Sequence, residues 1–378
     1  MIELLFYGFR KRILATMQPH SHKTYIDVLR IFAILLVVFN HTPAFHFPFQ
    51  STGESLLVKV MLVISSFDKV AVPLFFMISG ALLLPKSESI RIVISKRVVR
   101  FLIIIFLFHL VQSIYYLYSG GENGIGIRSF LSDCYWGNTD CGYVLGWTGA
   151  AAVWFLYAYV GLLLMLPFLR SMVSGMENIH FIYLFGLQMV FCVICPAVFV
   201  LVTGRTPEGF ALLKYLPLCG NVLVFVFAGY YAEHKVCVKK MEFRHFLLLL
   251  VVSCFFVLLA SLMPEWARSR MNAETVSQSL PGIKSYLLIP CITIYLISKR
   301  IAVDFRVNER FARRLQTLGG AVFTVMLVEN ILRKEMSDWF AEYNSAYLPS
   351  VWVSCLVCLV GLTLGMVCKN IPWLKKLL

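Results

Sequence analysis

The feature that most constrains this chain is the recurrence of apolar runs of about 18 residues or more, each long enough to cross a bilayer as a helix. RFLIIIFLFHLVQSIYYLY at 100–118 and HFLLLLVVSCFFVLLASLM at 245–263 are two of them. Ten such runs are read, at about 26–44, 64–84, 98–118, 149–169, 180–201, 212–231, 245–263, 282–299, 318–334 and 350–368. With 59% hydrophobic and only 14% charged residues in 378, the chain carries more apolar surface than a soluble domain needs. A transmembrane barrel would show alternating segments of about ten residues instead. The expected fold class is therefore all-α, a polytopic transmembrane helix bundle of about ten spans. Residues 1–25 form an N-terminal segment, 26–368 the membrane domain and 369–378 a tail.

Orientation follows from the loops. With the N-terminus inside, the inner segments hold 23 of the 34 Lys and Arg residues and the outer loops nine, a bias that places both termini in the cytoplasm. The formal charge of +14 is thus spread over short clusters between apolar runs, not gathered into a nucleic-acid patch with interleaved aromatics. The N-terminal MIELLFYGFRKR lacks a cleavable-signal pattern, and Met17 is an alternative start. Most of the eleven cysteines lie inside apolar runs, where cysteine packs as a small hydrophobe, and no combined His/Cys metal spacing occurs. Cys134 and Cys141 fall instead in the long loop Ser119–Ala150, where spacing alone leaves a bond between them open. Tyr135, Trp136, Tyr143 and Trp147 in that loop read either as a stacking platform for a sugar ring or as an interfacial belt.

Charge inside the first span is what asks for a function. In YIDVLRIFAILLVVFNHT, Asp27 and Arg30 stand at one end and Asn40 and His41 at the other, and ionisable groups in membrane segments are costly and usually functional. Eleven residues turn a helix by about 1100°, three turns and about 20°, so Arg30 and His41 share one face, about 16 Å apart along the axis. Asp27, one turn from Arg30, offsets part of its burial. Histidine is the natural proton acceptor near neutral pH, while the bland reading is a histidine marking the helix end before Thr42 and Pro43. At the start of the third span, SKRVVRF places Arg97 and Arg100 at i and i+3, two forks that either hold a phosphate or anchor the helix on its positive side. In VPLFFMISGALLL, Pro73, Ser79 and Gly80 provide for a kink and a close helix approach, or for ordinary packing.

These motifs together resemble the acyltransferase 3 family of membrane acyltransferases, across essentially the whole chain. The first span is similar to the family's opening helix, with arginine, ten intervening residues and histidine at Arg30 and His41. VPLFFMISGALLL resembles its second-span motif, and Arg97 and Arg100 match its R-x-x-R. AAVWFLYAYVGLLLMLPFLR, with Trp154 and Tyr157, resembles the fourth span of the branch that includes enterobacterial common antigen O-acetyltransferases. One departure lies in GAVFTVMLVEN, where Glu329 stands in place of a histidine that many relatives carry.

The resemblance implies an integral inner-membrane enzyme that moves an acyl group, most often acetyl from acetyl-CoA, to a hydroxyl of a cell-envelope glycan or lipid-linked sugar. It implies no permanently bound cofactor and no metal; acyl-CoA is a donor substrate. His41 would be the base, Arg30 and Asp27 would support the catalytic centre, and Arg97 and Arg100 would bind the donor. Trp154, Tyr157 and Glu329 are the candidates for the acceptor side. A buried Arg30, His41 and Glu329 also fit a proton-coupled transporter or a lipid-linked-sugar flippase, which would be expected to show inverted repeats or paired broken helices. A third reading is a non-catalytic partner in polysaccharide export.

Overall fold

The computed structural model describes residues 23–42, 56–118, 130, 134, 150–203, 216, 218–270, 283–305, 307–339 and 347–377. Every regular element among them is helical, as hydrocarbon demands of a chain that must pair its backbone groups internally. Helix α1 is Thr24–Asn40, α2 Leu56–Asp68 and α3 Ala71–Leu83. Helix α4 starts at Ile90–Ile92, passes a π-helical turn at Val93–Val98 and continues as Val99–Tyr118. Helix α5 is Ala150–Ser174, and α6 runs from Asn178–Met189 through a π turn at Val190–Ile194 into Cys195–Thr203. They are followed by α7 (Leu223–His234), α8 (Phe243–Arg270), α9 (Leu288–Asp304), α10 (Glu309–Trp339), α11 (Tyr347–Cys368) and the short α12 (Pro372–Leu377).

Eight helical stretches among the described residues are long and apolar enough to cross a membrane, α2 and α3 together forming one of them. The first and sixth expected spans are shorter. Helix α1 has 17 residues, and α7 has 12, about 18 Å of helix where the sequence suggested a full crossing at 212–231. The reason is a turn just before α7, with Gly220 in the left-handed region at φ 73°. The first turn of any helix leaves backbone N–H groups without intrahelical partners. Here Gln188 Oε1 on α6 accepts from Gly220 N–H at 2.8 Å, and Asn221 Oδ1 accepts from Leu223 N–H at 2.9 Å. At the other end, Lys299 Nζ donates to the carbonyls of Ala232, Glu233 and Val236. Glu233 in turn accepts from Lys23, Tyr25 and Tyr295, tying α7 to the start of α1 and to α9. The third span also begins earlier than its apolar edge at 98, because Ser89 caps a helix that starts at Ile90 and carries Arg91, Lys96 and Arg97 within it.

Close approach sets the rest of the packing. A Cβ on Gly80 would lie 1.9 Å from the Val226 carbonyl oxygen and one on Gly229 1.8 Å from that of Met77, so α3 and α7 cross backbone against backbone. This bears out the close approach read at Gly80. Gly80→Ala should cost about 1–3 kcal/mol or more, because the obstruction is main chain that cannot rotate away. Thermal unfolding of the purified protein would measure it; an unchanged midpoint would mean that the two helices part freely. Helix α11 uses Gly361 and Gly365, four apart, to lie on Val325, Ala321 and Thr324 of α10. Ile34, Val37 and Val38 of α1 complete an apolar seam with Val322 and Val325 of α10 and Val353 and Val357 of α11.

Two C-x-x-C spacings, Cys192 to Cys195 and Cys355 to Cys358, fall within apolar α6 and α11, and no His, Cys, Asp and Glu group that could hold a metal occurs among the described residues. Cys141 and the loop aromatics Tyr135, Trp136, Tyr143 and Trp147 lie outside the described residues.

Candidate active site

Helices α1 and α10 run side by side in the same direction. Near the start of α1, a Cβ on Gly319 would collide with the Asp27 side chain; near its end, His41 meets Glu329. Two charged centres result, one at each end of α1.

At the far end, His41 follows directly after α1, and Thr42 Oγ1 turns back to donate to the Phe39 carbonyl at 2.7 Å. His41 Nδ1 lies 2.7 Å from Glu329 Oε1. Glu329 is 2% exposed, whereas the His41 side chain is 36% exposed and so can be reached. A carboxylate on Nδ1 fixes the neutral ring in the tautomer with its proton there, leaving the Nε2 lone pair as acceptor. Among the described residues Glu329 Oε2 has no hydrogen-bond partner, and it lies 4.0 Å from Arg333 Nε, one helical turn on. Arg333 also donates to Asn330 Oδ1 at 3.4 Å. Beside them, Asn40 Nδ2 donates to Oδ2 of the buried Asp68 at 3.1 Å.

At the near end, Arg30 Nη1 donates to Asp27 Oδ1 at 3.1 Å, the pairing their spacing implied. Arg30 opens onto a cavity of about 390 Å³ that Lys86, Arg97 and Arg100 also line. Its lining is otherwise mostly apolar and aromatic, with Phe75, Phe101, Phe155, Tyr159, Phe323 and Met326, and no carboxylate among the described residues lines it. Four cations around an apolar cleft are chemically suited to a polyanion with a non-polar arm. Arg97 and Arg100 do converge on one space, although Arg97 sits in the π-helical turn and not in regular α-helix.

Three residues at this end carried no distinctive signal in the sequence. Glu88 accepts from Arg97 Nε and Nη2 at 2.9 and 2.6 Å and from Arg170 Nη2 at 2.9 Å. Hydrogen bonding from Arg97 first, joined by Arg170, holds the Glu88 carboxyl down at about 2. Burial, reinforced by Arg97, pulls the Lys86 ammonium below its ordinary value.

Trp154 and Tyr157 are placed differently from the charged pair. Trp154 is 44% exposed and meets Phe155 edge to face, while Tyr157 Oη contacts His109 Nε2 at 3.1 Å and donates to the Cys134 carbonyl at 2.9 Å.

A reachable imidazole backed by a buried carboxylate, with a cationic cavity along the same helix, is an arrangement able to serve group transfer. The class is confirmed by comparison. Residues 23–369 match the family Acyl_transf_3, described as an acyltransferase domain, and the chain belongs to that family: it is a membrane acyltransferase. No curated protein and no solved structure matches it.

Proposed function

We propose that the protein is an O-acyltransferase of the inner membrane, moving an acyl group, acetyl in the simplest case, from acyl-CoA to a hydroxyl of a cell-envelope glycan or lipid-linked sugar. The observation that carries this reading is the Glu329 carboxylate on His41 Nδ1, which leaves Nε2 of a reachable side chain to act as a general base. The donor's phosphates rest on Arg97 and Arg100, with Lys86 and Arg30 adding charge, and its flexible arm rises along the aromatic wall toward His41. Acyl-CoA is cytosolic, so the Arg30 end faces the cytoplasm, in keeping with the excess of Lys and Arg in the loops on that side.

His41 takes the proton of the acceptor hydroxyl as that oxygen attacks the thioester carbonyl. The tetrahedral intermediate collapses by breaking its C–S bond, and the departing thiolate recovers the proton from the imidazolium. Glu329 stabilises the imidazolium while it lasts, and Asp27 holds Arg30 toward the donor. Trp154 and Tyr157 remain candidates for the acceptor side.

Purified protein in lipid, given labelled acetyl-CoA and envelope glycan, should place base-labile label on the glycan. Glu329→Gln keeps the shape but removes the charge and should lower kcat about ten- to a hundredfold while leaving the KM for donor unchanged. Steady-state kinetics checks this, and an unaltered kcat would reduce Glu329 to packing. The transporter reading calls for paired broken helices in a repeat; absence of labelled glycan alongside acceptor movement across vesicles would favour it.

A further inference from the structure

We infer that Glu88 is a positioning residue for donor binding: it braces the Nε edge of Arg97 from behind and so presents the remaining guanidinium hydrogens to the cavity. The inference rests on reading that cavity as the donor site. Arg97 lines the cavity, but Glu88 does not. The carboxylate therefore stands behind the arginine and does not plug the space in front of it. Its two oxygens take Nε and Nη2, which leaves both hydrogens of Nη1 and one of Nη2 unclaimed among the described residues.

The other arginines of the cavity follow the same plan. Arg100 is held at Nε by the Leu377 carbonyl at 2.7 Å, and Arg30 at Nη1 by Asp27. Each guanidinium is tied along one edge and open along another, which removes side-chain freedom that phosphate binding would otherwise have to remove. Glu88 is itself fixed, since Arg170 reaches its carboxylate, its main-chain carbonyl at 3.3 Å and the Leu83 carbonyl at 3.1 Å. The turn between α3 and α4 is thereby clamped. Without its negative charge, Lys86, Arg97 and Arg170 would face one another with no counter-charge at that turn. The carboxyl is held near 2, so the brace stays ionised at any working pH.

A residue that only stabilised the fold would weaken every donor alike, and one that blocked the site would bind donor better once neutralised. A brace for phosphate recognition does neither. The test is calorimetric titration of the full-length protein in lipid with CoA and with pantetheine, which lacks the nucleotide and its phosphates. E88Q should weaken CoA binding about tenfold and leave pantetheine binding unchanged. E88D keeps the charge on a shorter arm and should fall between E88Q and wild type, which keeps the test open if E88Q folds poorly. In turnover, the same loss should appear in the KM for acetyl-CoA with kcat preserved, and acetyl-pantetheine should show no loss. Equal or tighter CoA binding by E88Q, or matching losses for both ligands, would overturn the inference. A wild type that binds CoA but acylates no glycan would sink the acyltransfer to glycan alone, whereas a wild type that binds no CoA would remove both.

Discussion

His41→Ala should reduce acyl transfer by about 10²–10⁴-fold, the range a positioned general base contributes, at matched membrane abundance. The ring lies at the end of α1, so its removal opens no cavity in the apolar seam. It does strip Glu329 of its 2.7 Å partner, and a buried carboxylate left unpaired can unsettle a fold. Arg333 remains 4.0 Å away as counter-charge, and His41→Gln, which can still donate to Glu329, serves as the second variant. Cells fed labelled acetate and expressing wild type should carry base-labile label on envelope glycan, and both variants should lose it. Retained label in a variant present at wild-type abundance would remove His41 as the base.

Replacing Arg97 and Arg100 together with alanine should raise the KM for acyl-CoA about a hundredfold or more, with kcat at saturating donor much less affected. Each charge-assisted hydrogen bond to phosphate contributes about 1.5–3 kcal/mol, and the pair supplies two of the four cations lining the cavity. Wild-type KM should rise with salt, and the double variant should respond less, because fewer charges remain to be screened. If donor dependence is unaltered, the two arginines only anchor α4 at the membrane surface.

What could be read from the sequence depended on how far apart the partners lie along it. Asp27 and Arg30 are one turn apart, and Arg97 and Arg100 three residues apart, so helical geometry alone brought each pair together. His41 and Glu329 are separated by 288 positions. Glu329 stood out because the family resemblance puts histidine there, yet nothing local indicated that it would meet His41. Glu88 and Arg170 were missed for the same reason, compounded because Glu88 precedes the first turn of α4 and so has no helical register with Arg97. The length of α7 escaped because hydropathy averages across an interruption, and the break is held by Gln188, a side chain on another helix. Helix identity follows from composition over a long window, whereas helix ends depend on caps and partners drawn from anywhere in the chain.

The alignment of α1 with α10 makes the pair a ruler. Asp27 against Gly319 marks one end and His41 against Glu329 the other, with valines and isoleucine interlocked between them. Neither helix can slip by a turn without parting both contacts together, and one inserted residue in α1 would swing His41 about 100° away from Glu329. The span from the cationic cavity to His41 is therefore a fixed length, and under the proposed acyl transfer it sets the reach that a donor's arm must have.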